Sequence, residues 1–288
     1  MIGFPVQKDV SLAELTRLTI AIEKCGFKIA EPHGAAVIQK FGAVLERLTA
    51  VERDLVITLV EDFLYCPFFD YIPLLTQALR GLPASLTKGK SSLILLPLAE
   101  TGKNGKPKSS SALLYPAEHL VLPYLAPFST FSVKGFEKME LLATEASTRK
   151  NTLLIFVDDF IGSGGTAVTA IKRYRKNFAA STDSAAIVAI VAQRQGLMRI
   201  AGEGIPVSVA IQRSKGISES ARLPNRASAL AMMDDLEKRL GVAKDYLRGY
   251  EACEALVTMV RTPNNTFPVF WHPTTAAGIK WPAPFRRF

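Results

Sequence analysis

Two adjacent acidic residues followed by a glycine-rich loop form the part of this sequence that is best suited to bind and transform a ligand. Asp158 and Asp159 are followed, after two further residues, by GSGGT at residues 162–166. Neighbouring carboxylates can hold a pair of hydroxyl groups or a hydrated Mg²⁺. Backbone N–H groups of a glycine-rich loop at the start of a helix bind an anion such as a phosphate. A ribose 5-phosphate has both features and fits the pattern.

The flanking residues predict the elements that present this loop. Residues 152–157, TLLIFV, have the length and apolar character of a strand that is covered on both faces of a parallel sheet. Apolar residues then recur at helical spacing after the loop, at Ala167, Ala170, Ile171, Tyr174 and Phe178. We therefore expect the acids at the carboxyl end of a buried strand and the loop at the N-terminus of a helix.

Three other interpretations of the segment compete with this one. GSGGTA satisfies the dinucleotide fingerprint G-x-G-x-x-A, but there the first glycine follows the strand directly and no carboxylate pair crowds the pyrophosphate. A Walker-type loop is disfavoured, because the Gly-Lys-Ser at residues 89–91 has Ala84 in place of the leading glycine. A plain strand-to-helix turn does not explain two adjacent acids beside Ser163 and Thr166.

The run LLIFVDDFIGSGGT resembles the signature of type I phosphoribosyltransferases, which has an apolar run, two acids and a short loop rich in Gly, Ser and Thr. The resemblance implies that Asp158 and Asp159 contact Mg²⁺ and the ribose hydroxyls of phosphoribosyl pyrophosphate, and act as the catalytic and metal-binding residues. The residues that it implies for the 5-phosphate are Ile161, Gly162, Ser163, Gly164, Gly165 and Thr166. Phe160 after the acids and glycine at position 162 depart from the usual pattern.

A closer resemblance covers most of the chain. Those departures, the helical lead-in and the ending TPNNTFPVFW at residues 262–271 resemble divergent phosphoribosyltransferase-like proteins of bacterial conflict systems, including those encoded beside retron reverse transcriptases. This resemblance implies an effector of anti-phage defence that is either an enzyme releasing pyrophosphate or a catalytically inactive module. The inactive module would sense nucleotides or associate with nucleic acid or a reverse transcriptase complex.

Composition sets the class of protein. The chain has 288 residues, of which 48% are hydrophobic and 21% charged, which is typical of a soluble globular protein. No apolar run approaches the length needed to span a bilayer, and the N-terminus lacks a signal-peptide pattern, so we expect a cytoplasmic protein without membrane contact. Three dispersed cysteines indicate neither a disulfide framework nor a zinc site. The net charge of +9 suits anionic ligands.

Two patterns predict an α/β fold. Residues 11–82 are typical of helices, with capping boxes at Ser11 with Glu14 and at Thr49 with Glu52. Apolar runs at residues 93–98, 152–157, 187–192 and 207–212 alternate with helix-sized connections. They predict a parallel sheet with helices on both faces. Together with the resemblance, these patterns imply a helical region over residues 1–84 and a phosphoribosyltransferase-like domain over residues 85–288 that ends in a hood-like segment.

Four further segments carry candidate roles. The lysine-containing loop 99–111, AETGKNGKPKSSS, is either a solvated loop or the pyrophosphate loop that the resemblance implies. Lys172, Arg173, Arg175 and Lys176 near the end of the predicted helix form either a solvated face or a nucleic-acid contact. Residues 264–271 are either a base-covering hood or a packed strand. The apolar stripe at residues 55–64 is expected to pack as a helical cap against the sheet or, with the aromatic residues Tyr65, Phe68, Phe69 and Tyr71, to form a homo-oligomer or partner surface.

Overall fold

The computed structural model of the chain describes residues 10–99, 109–145, 149 and 151–287. Its α-helices are α1 (Leu12–Lys24), α2 (Pro32–Leu45), α3 (Ala50–Glu61), α4 (Tyr71–Arg80), the single turn α5 (Leu114–Pro116), α6 (Gly165–Asn177), α7 (Arg194–Ala201) and α8 (Arg226–Arg239). Its strands are β1 (Leu64–Tyr65), β2 (Ser92–Pro97), β3 (Ser132–Gly135), β4 (Thr152–Ile161), β5 (Ser184–Gln193), β6 (Val207–Arg213) and β7 (Val257–Thr258).

A five-stranded parallel sheet in the order β3-β2-β4-β5-β6 confirms the predicted fold class. On one face, Leu154 and Phe156 of β4 pack in a core with Ile171 and Tyr174 of α6. On the other face α4 lies against β6, where the Ser208 hydroxyl donates to the carbonyl of α4 residue 78 over 2.6 Å. Helices therefore cover both faces, which explains why the central strands contain long apolar runs.

The four predicted strands are all present. β4, β5 and β6 extend beyond the predicted runs, whereas β2 has the predicted length and begins and ends one residue earlier. β4 runs to Ile161 rather than ending at residue 157, because its pairing with β5 continues through Phe160 opposite Val191 and Ile161 opposite Ala192. Asp158 and Asp159 therefore lie inside the strand near its carboxyl end. The edge strand β3 was not predicted, since it is short and half-exposed.

The predicted helical lead-in is confirmed, and both capping boxes form. Ser11 Oγ accepts from the Glu14 N–H at 3.2 Å, and Thr49 Oγ1 accepts from the Glu52 N–H at 3.4 Å. Gly26 follows the end of α1 with φ +97°, as expected for a glycine that terminates a helix. Within the described residues, no helix is long and apolar enough to cross a membrane.

The packing of the chain forms two compact units. One contains the described residues up to Pro67 together with those from Ser214 onward, and the other is Phe68–Arg213. The apolar stripe of α3 is buried in the core of the first unit, beside residues of α1, α2 and α8. This division does not coincide with the predicted boundary after residue 84, which stays a prediction. The second unit contains the whole sheet β2–β6 and the acid pair with its glycine loop.

Candidate functional site

The acid pair is buried in β4. Asp158 and Asp159 are 8% and 4% exposed. The backbone N–H of Asp159 donates to Asp158 Oδ1 over 3.0 Å, and the Tyr71 hydroxyl of α4 donates to Asp159 Oδ2 over 3.2 Å. Both carboxylates are thus oriented by protein donors at the carboxyl edge of the sheet, which is where ligands bind in open α/β folds.

The glycine loop connects β4 to α6 in three residues. Gly164 has φ +78°, a left-handed conformation that favours glycine, and α6 begins at the next residue. The first bond within the helix runs from the Val168 N–H to the Gly164 carbonyl over 3.0 Å. The N–H groups of residues 165–167 therefore have no acceptor inside the helix, and the positive end of the helix dipole lies at the loop. This is the backbone arrangement that binds phosphate.

A second glycine, on α7, supports the loop from outside. A Cβ added to Gly196 would lie 2.3 Å from the Gly162 carbonyl oxygen and 3.1 Å from the Gly164 nitrogen. Arg199, one turn further along α7, donates from Nη1 to the Ser163 carbonyl over 3.4 Å. Neither Gly196 nor Arg199 was predicted from the sequence to belong to the site. The only local signal was a glycine in a short helical stretch directly after a buried strand, where glycine disfavours the helix.

The predicted site residues occupy one strand, loop and helix turn. Ser163 is buried, whereas Thr166 is exposed in the first turn of α6. Mg²⁺ is typically held by one or two carboxylates together with phosphate oxygens of the substrate. The described residues contain no cluster of three or more His, Cys, Asp or Glu that could hold a metal alone. The pair Asp158 and Asp159 beside a glycine-rich loop at a helix N-terminus is thus a donor set that fits Mg²⁺ bound together with a phosphorylated ligand.

The other candidate segments have different surroundings. Most of the predicted pyrophosphate loop, including Lys103, Lys106 and Lys108, lies outside the described residues. At the end of α6, Arg173 pairs with Glu140, while Arg175 and Lys172 approach Glu203 at 3.6 and 3.5 Å. These pairs favour the solvated-face interpretation of the basic cluster over a nucleic-acid contact.

The C-terminal aromatic segment packs inside the first unit. Phe267, Phe270 and Trp271 are buried, and the Trp271 indole donates to the Thr266 carbonyl over 2.7 Å. Asn265 is 8% exposed and donates to the Tyr250 carbonyl over 3.1 Å. The ring faces and this carboxamide are therefore occupied by the protein's own core. The packing favours a packed segment over a base-covering hood, but the predicted strand is wrong, because Thr266 forms only an isolated bridge to Ala255 and Pro268–Phe270 form a 3₁₀ turn.

A family model described as PRTase-CE matches residues 41–287. No curated protein matches the chain in sequence. Among solved structures, the chain is similar to the crystal structure of orotate phosphoribosyltransferase from Aeropyrum pernix, with 15% sequence identity and a TM-score of 0.29, over 68% of this chain and 93% of the other. A similarity of that size adds no argument about the site.

Proposed function

The chain belongs to the PRTase-CE family, the phosphoribosyltransferases of conflict systems, and we propose that it binds phosphoribosyl pyrophosphate or a related ribose phosphate with Mg²⁺. The site comprises Asp158, Asp159 and residues 161–166. The chain's membership of a conflict-system family supports the role of an effector in a bacterial anti-phage system of the retron type. A reverse transcriptase with its nucleic acid is the partner that such a role implies.

One observation carries the proposal, which is the burial of two adjacent acids two residues before a glycine-rich loop at a helix N-terminus. Neighbouring carboxylates repel each other and repel an anion, and burial strengthens both effects. A protein that bound only phosphate would bind it better without them. A ribose diol and Mg²⁺ would offset the two charges at the position where Asp158 and Asp159 lie.

Different residues of the site bind different parts of the proposed ligand. The N–H groups of the loop and of the first turn of α6 hold the 5-phosphate, and the carboxylates of Asp158 and Asp159 hold the ribose hydroxyls and the metal. Bound Mg²⁺ would neutralise charge on a departing pyrophosphate. The protein's own contribution to pyrophosphate displacement at the anomeric carbon is therefore positioning, with fixed dipoles around the phosphate.

Turnover separates the enzyme from the alternative, a catalytically inactive nucleotide-sensing module. Purified protein is incubated with phosphoribosyl pyrophosphate, Mg²⁺ and each nucleobase in turn, and pyrophosphate release is measured alongside binding. An enzyme releases pyrophosphate with at least one acceptor, whereas an inactive module binds phosphoribosyl pyrophosphate but releases no pyrophosphate. Absence of binding would refute the proposed ligand for both.

Removing the charge of the acid pair tests the site itself. Changing both Asp158 and Asp159 to Asn should weaken phosphoribosyl pyrophosphate binding by about 10²-fold or more, because hydrogen bonds to charged groups contribute about 1.5–3 kcal/mol each. The Mg²⁺ dependence of binding should disappear. Inorganic phosphate, which needs only the loop, should bind equally well or more tightly. Calorimetry of both ligands gives these values, and unchanged affinity for phosphoribosyl pyrophosphate in a folded variant would contradict the assignment.

A further inference from the structure

One of the two acids is contacted by a tyrosine from a different element. Tyr71 is the first residue of α4 and is 2% exposed. Its hydroxyl donates to Asp159 Oδ2 over 3.2 Å. Its ring lies beside Phe68, with 5.4 Å between the centroids. The tyrosine is thus fixed by packing, and its polar end reaches the acid pair.

The helix that carries Tyr71 is anchored to the sheet at its other end. Gln77 Nε2 donates to the Ala210 carbonyl of β6 over 3.1 Å, and Ser208 Oγ of β6 donates to the Ala78 carbonyl over 2.6 Å. Gly81 permits this approach, since a Cβ there would lie 2.5 Å from Ser208 Oγ. α4 therefore holds the hydroxyl of Tyr71 at a set position relative to β4, within the same compact unit.

The Tyr71 hydroxyl orients the Asp159 carboxylate and leaves part of its hydrogen-bonding capacity for a ligand. An ionised carboxylate has about four acceptor sites, so a tyrosine at Oδ2 leaves capacity for a ribose hydroxyl or a metal ion. The donor restricts rotation of the carboxylate, and a ligand then finds it already oriented. Preorganised groups of this kind raise affinity because the cost of ordering them is not incurred on binding.

We propose that Tyr71 is a positioning residue for Asp159, and that its hydroxyl orients the carboxylate for a ribose phosphate bound with Mg²⁺. The inference rests on the proposed function of the acid pair. It adds a residue of α4, from the segment before the sheet, to a site whose proposed ligand-binding residues lie in β4, the loop and the first turn of α6.

Replacing Tyr71 by Phe removes only the hydroxyl and keeps the packed ring. Tyr174 provides a matched control, because it is also buried in the same unit and donates its hydroxyl to Asp183 Oδ2 over 2.7 Å, near the opposite end of α6 from the loop. Tyr174→Phe therefore loses a comparable tyrosine–aspartate hydrogen bond away from the site. Thermal unfolding of both variants shows how much stability each loss costs.

Calorimetry of the parent and the two variants, with phosphoribosyl pyrophosphate and Mg²⁺ and separately with inorganic phosphate, tests the inference. Tyr71→Phe should bind phosphoribosyl pyrophosphate on the order of tenfold more weakly and inorganic phosphate within about twofold of the parent. Tyr174→Phe should bind both ligands like the parent.

The failures of the two proposals are distinguishable. If the parent binds phosphoribosyl pyrophosphate with Mg²⁺ and Tyr71→Phe binds it equally or more tightly, the positioning role is wrong and the proposed function stands. Parallel weakening of both ligands, or equal losses in the two variants, would also overturn the role, because a purely structural effect is not selective for the ribose. A parent that does not bind phosphoribosyl pyrophosphate overturns the proposed function, and this inference with it.

Discussion

At the scale of single residues, the shape of the glycine-rich loop depends on two glycine backbones, at Gly164 and Gly196, that face each other. A Cβ on Gly164 would lie 2.8 Å from the Gly196 carbonyl oxygen, and a Cβ on Gly196 would lie even closer to the Gly162 oxygen. Real Cβ atoms do not approach backbone this closely, so a side chain at either position must displace the loop or α7. The loop can therefore aim its N–H groups at an anion only while both positions remain glycine.

Gly164→Ala tests this dependence, with Gly204→Ala as its control. Both glycines have positive φ, +78° and +61°, so alanine at either should cost about 1–2 kcal/mol of conformational strain. Only Gly164 has backbone within contact distance, whereas nothing lies within 4 Å of a Cβ at Gly204. We expect Gly164→Ala to weaken inorganic phosphate binding by at least about tenfold and Gly204→Ala to leave it unchanged, because only the first displaces the loop. Equal affinities in calorimetry would show that the loop tolerates the added methyl group.

The residues of the site were predictable to different degrees. Asp158, Asp159 and the loop are consecutive, so their order alone indicates that they meet. Tyr71 precedes Asp159 by 88 residues, and the hydrogen bond between them depends on how α4 crosses the sheet. Gly196 belongs to the site only because α7 begins at the carboxyl end of the neighbouring strand. Contacts of this kind come from topology, and no local pattern encodes them.

At the scale of elements, the hydrophobic pattern predicted the buried strands. It did not predict the end of β4 or the edge strand β3, which depend on hydrogen bonding to a neighbouring strand. β4 continues through two aspartates, which are unfavourable in strands, because its partner β5 extends alongside and the ladder bonds continue. β3 is an edge strand with an alternating exposed pattern and a glycine at its end. Its existence depends on pairing with β2, from Ser92 opposite Ser132 to Leu95 opposite Gly135.

The end of α6 gives a test at this scale. Three of its four basic residues lie within 4.0 Å of Glu140 or Glu203, so these three already have acidic partners, and the two acids offset two of the four positive charges. Replacing Lys172, Arg173, Arg175 and Lys176 together by Ser should therefore leave the salt dependence of any nucleic-acid binding unchanged. The free energy of unfolding should fall by no more than about 1 kcal/mol per exposed pair. If instead the slope of log affinity against log salt flattens by about one for each basic side chain removed, this helix end binds nucleic-acid phosphates.

At the scale of the whole molecule, the two ends of the chain share one core. Leu18 and Val44 lie in the same apolar cluster as Met233, Phe270 and Trp281. The sequence pattern indicates a helical region followed by a region of alternating strands and helices, and it therefore predicts a boundary between the two. That the last part of the chain returns to pack with the first is a long-range contact, which residue pattern and spacing do not reveal.

The same unit contains a buried acid that holds strained backbone. Glu237 is fully buried, and its Oε2 accepts from the Arg248 N–H over 2.6 Å, where Arg248 has φ +59°. Within the described part of the chain, its Oε1 has no hydrogen-bond partner. Burial raises the pKa of Glu237 to about 8, reinforced by the charges of Asp234 and Glu254 and opposed by the N–H and the guanidinium of Arg248. The carboxyl is therefore neutral in the folded protein at neutral pH.

The raised pKa of Glu237 makes this residue's contribution to stability fall as pH rises between about 4.5 and 8. In the unfolded chain Glu237 ionises near its ordinary pKa of 4.5, whereas the folded protein keeps the proton up to about pH 8. The unfolded state thus binds fewer protons than the folded state between these two pKa values. Ionisation of Glu237 therefore lowers the free energy of unfolding by up to about 1.4 kcal/mol for each pH unit in this window.

Glu237→Gln keeps the acceptor for Arg248 but cannot ionise. The difference in free energy of unfolding between the Gln variant and the parent, from urea titrations at pH 4.5 to 8.5, should therefore grow in favour of Gln and then level off. A difference that is constant across this range would mean that Glu237 is already ionised in the folded protein.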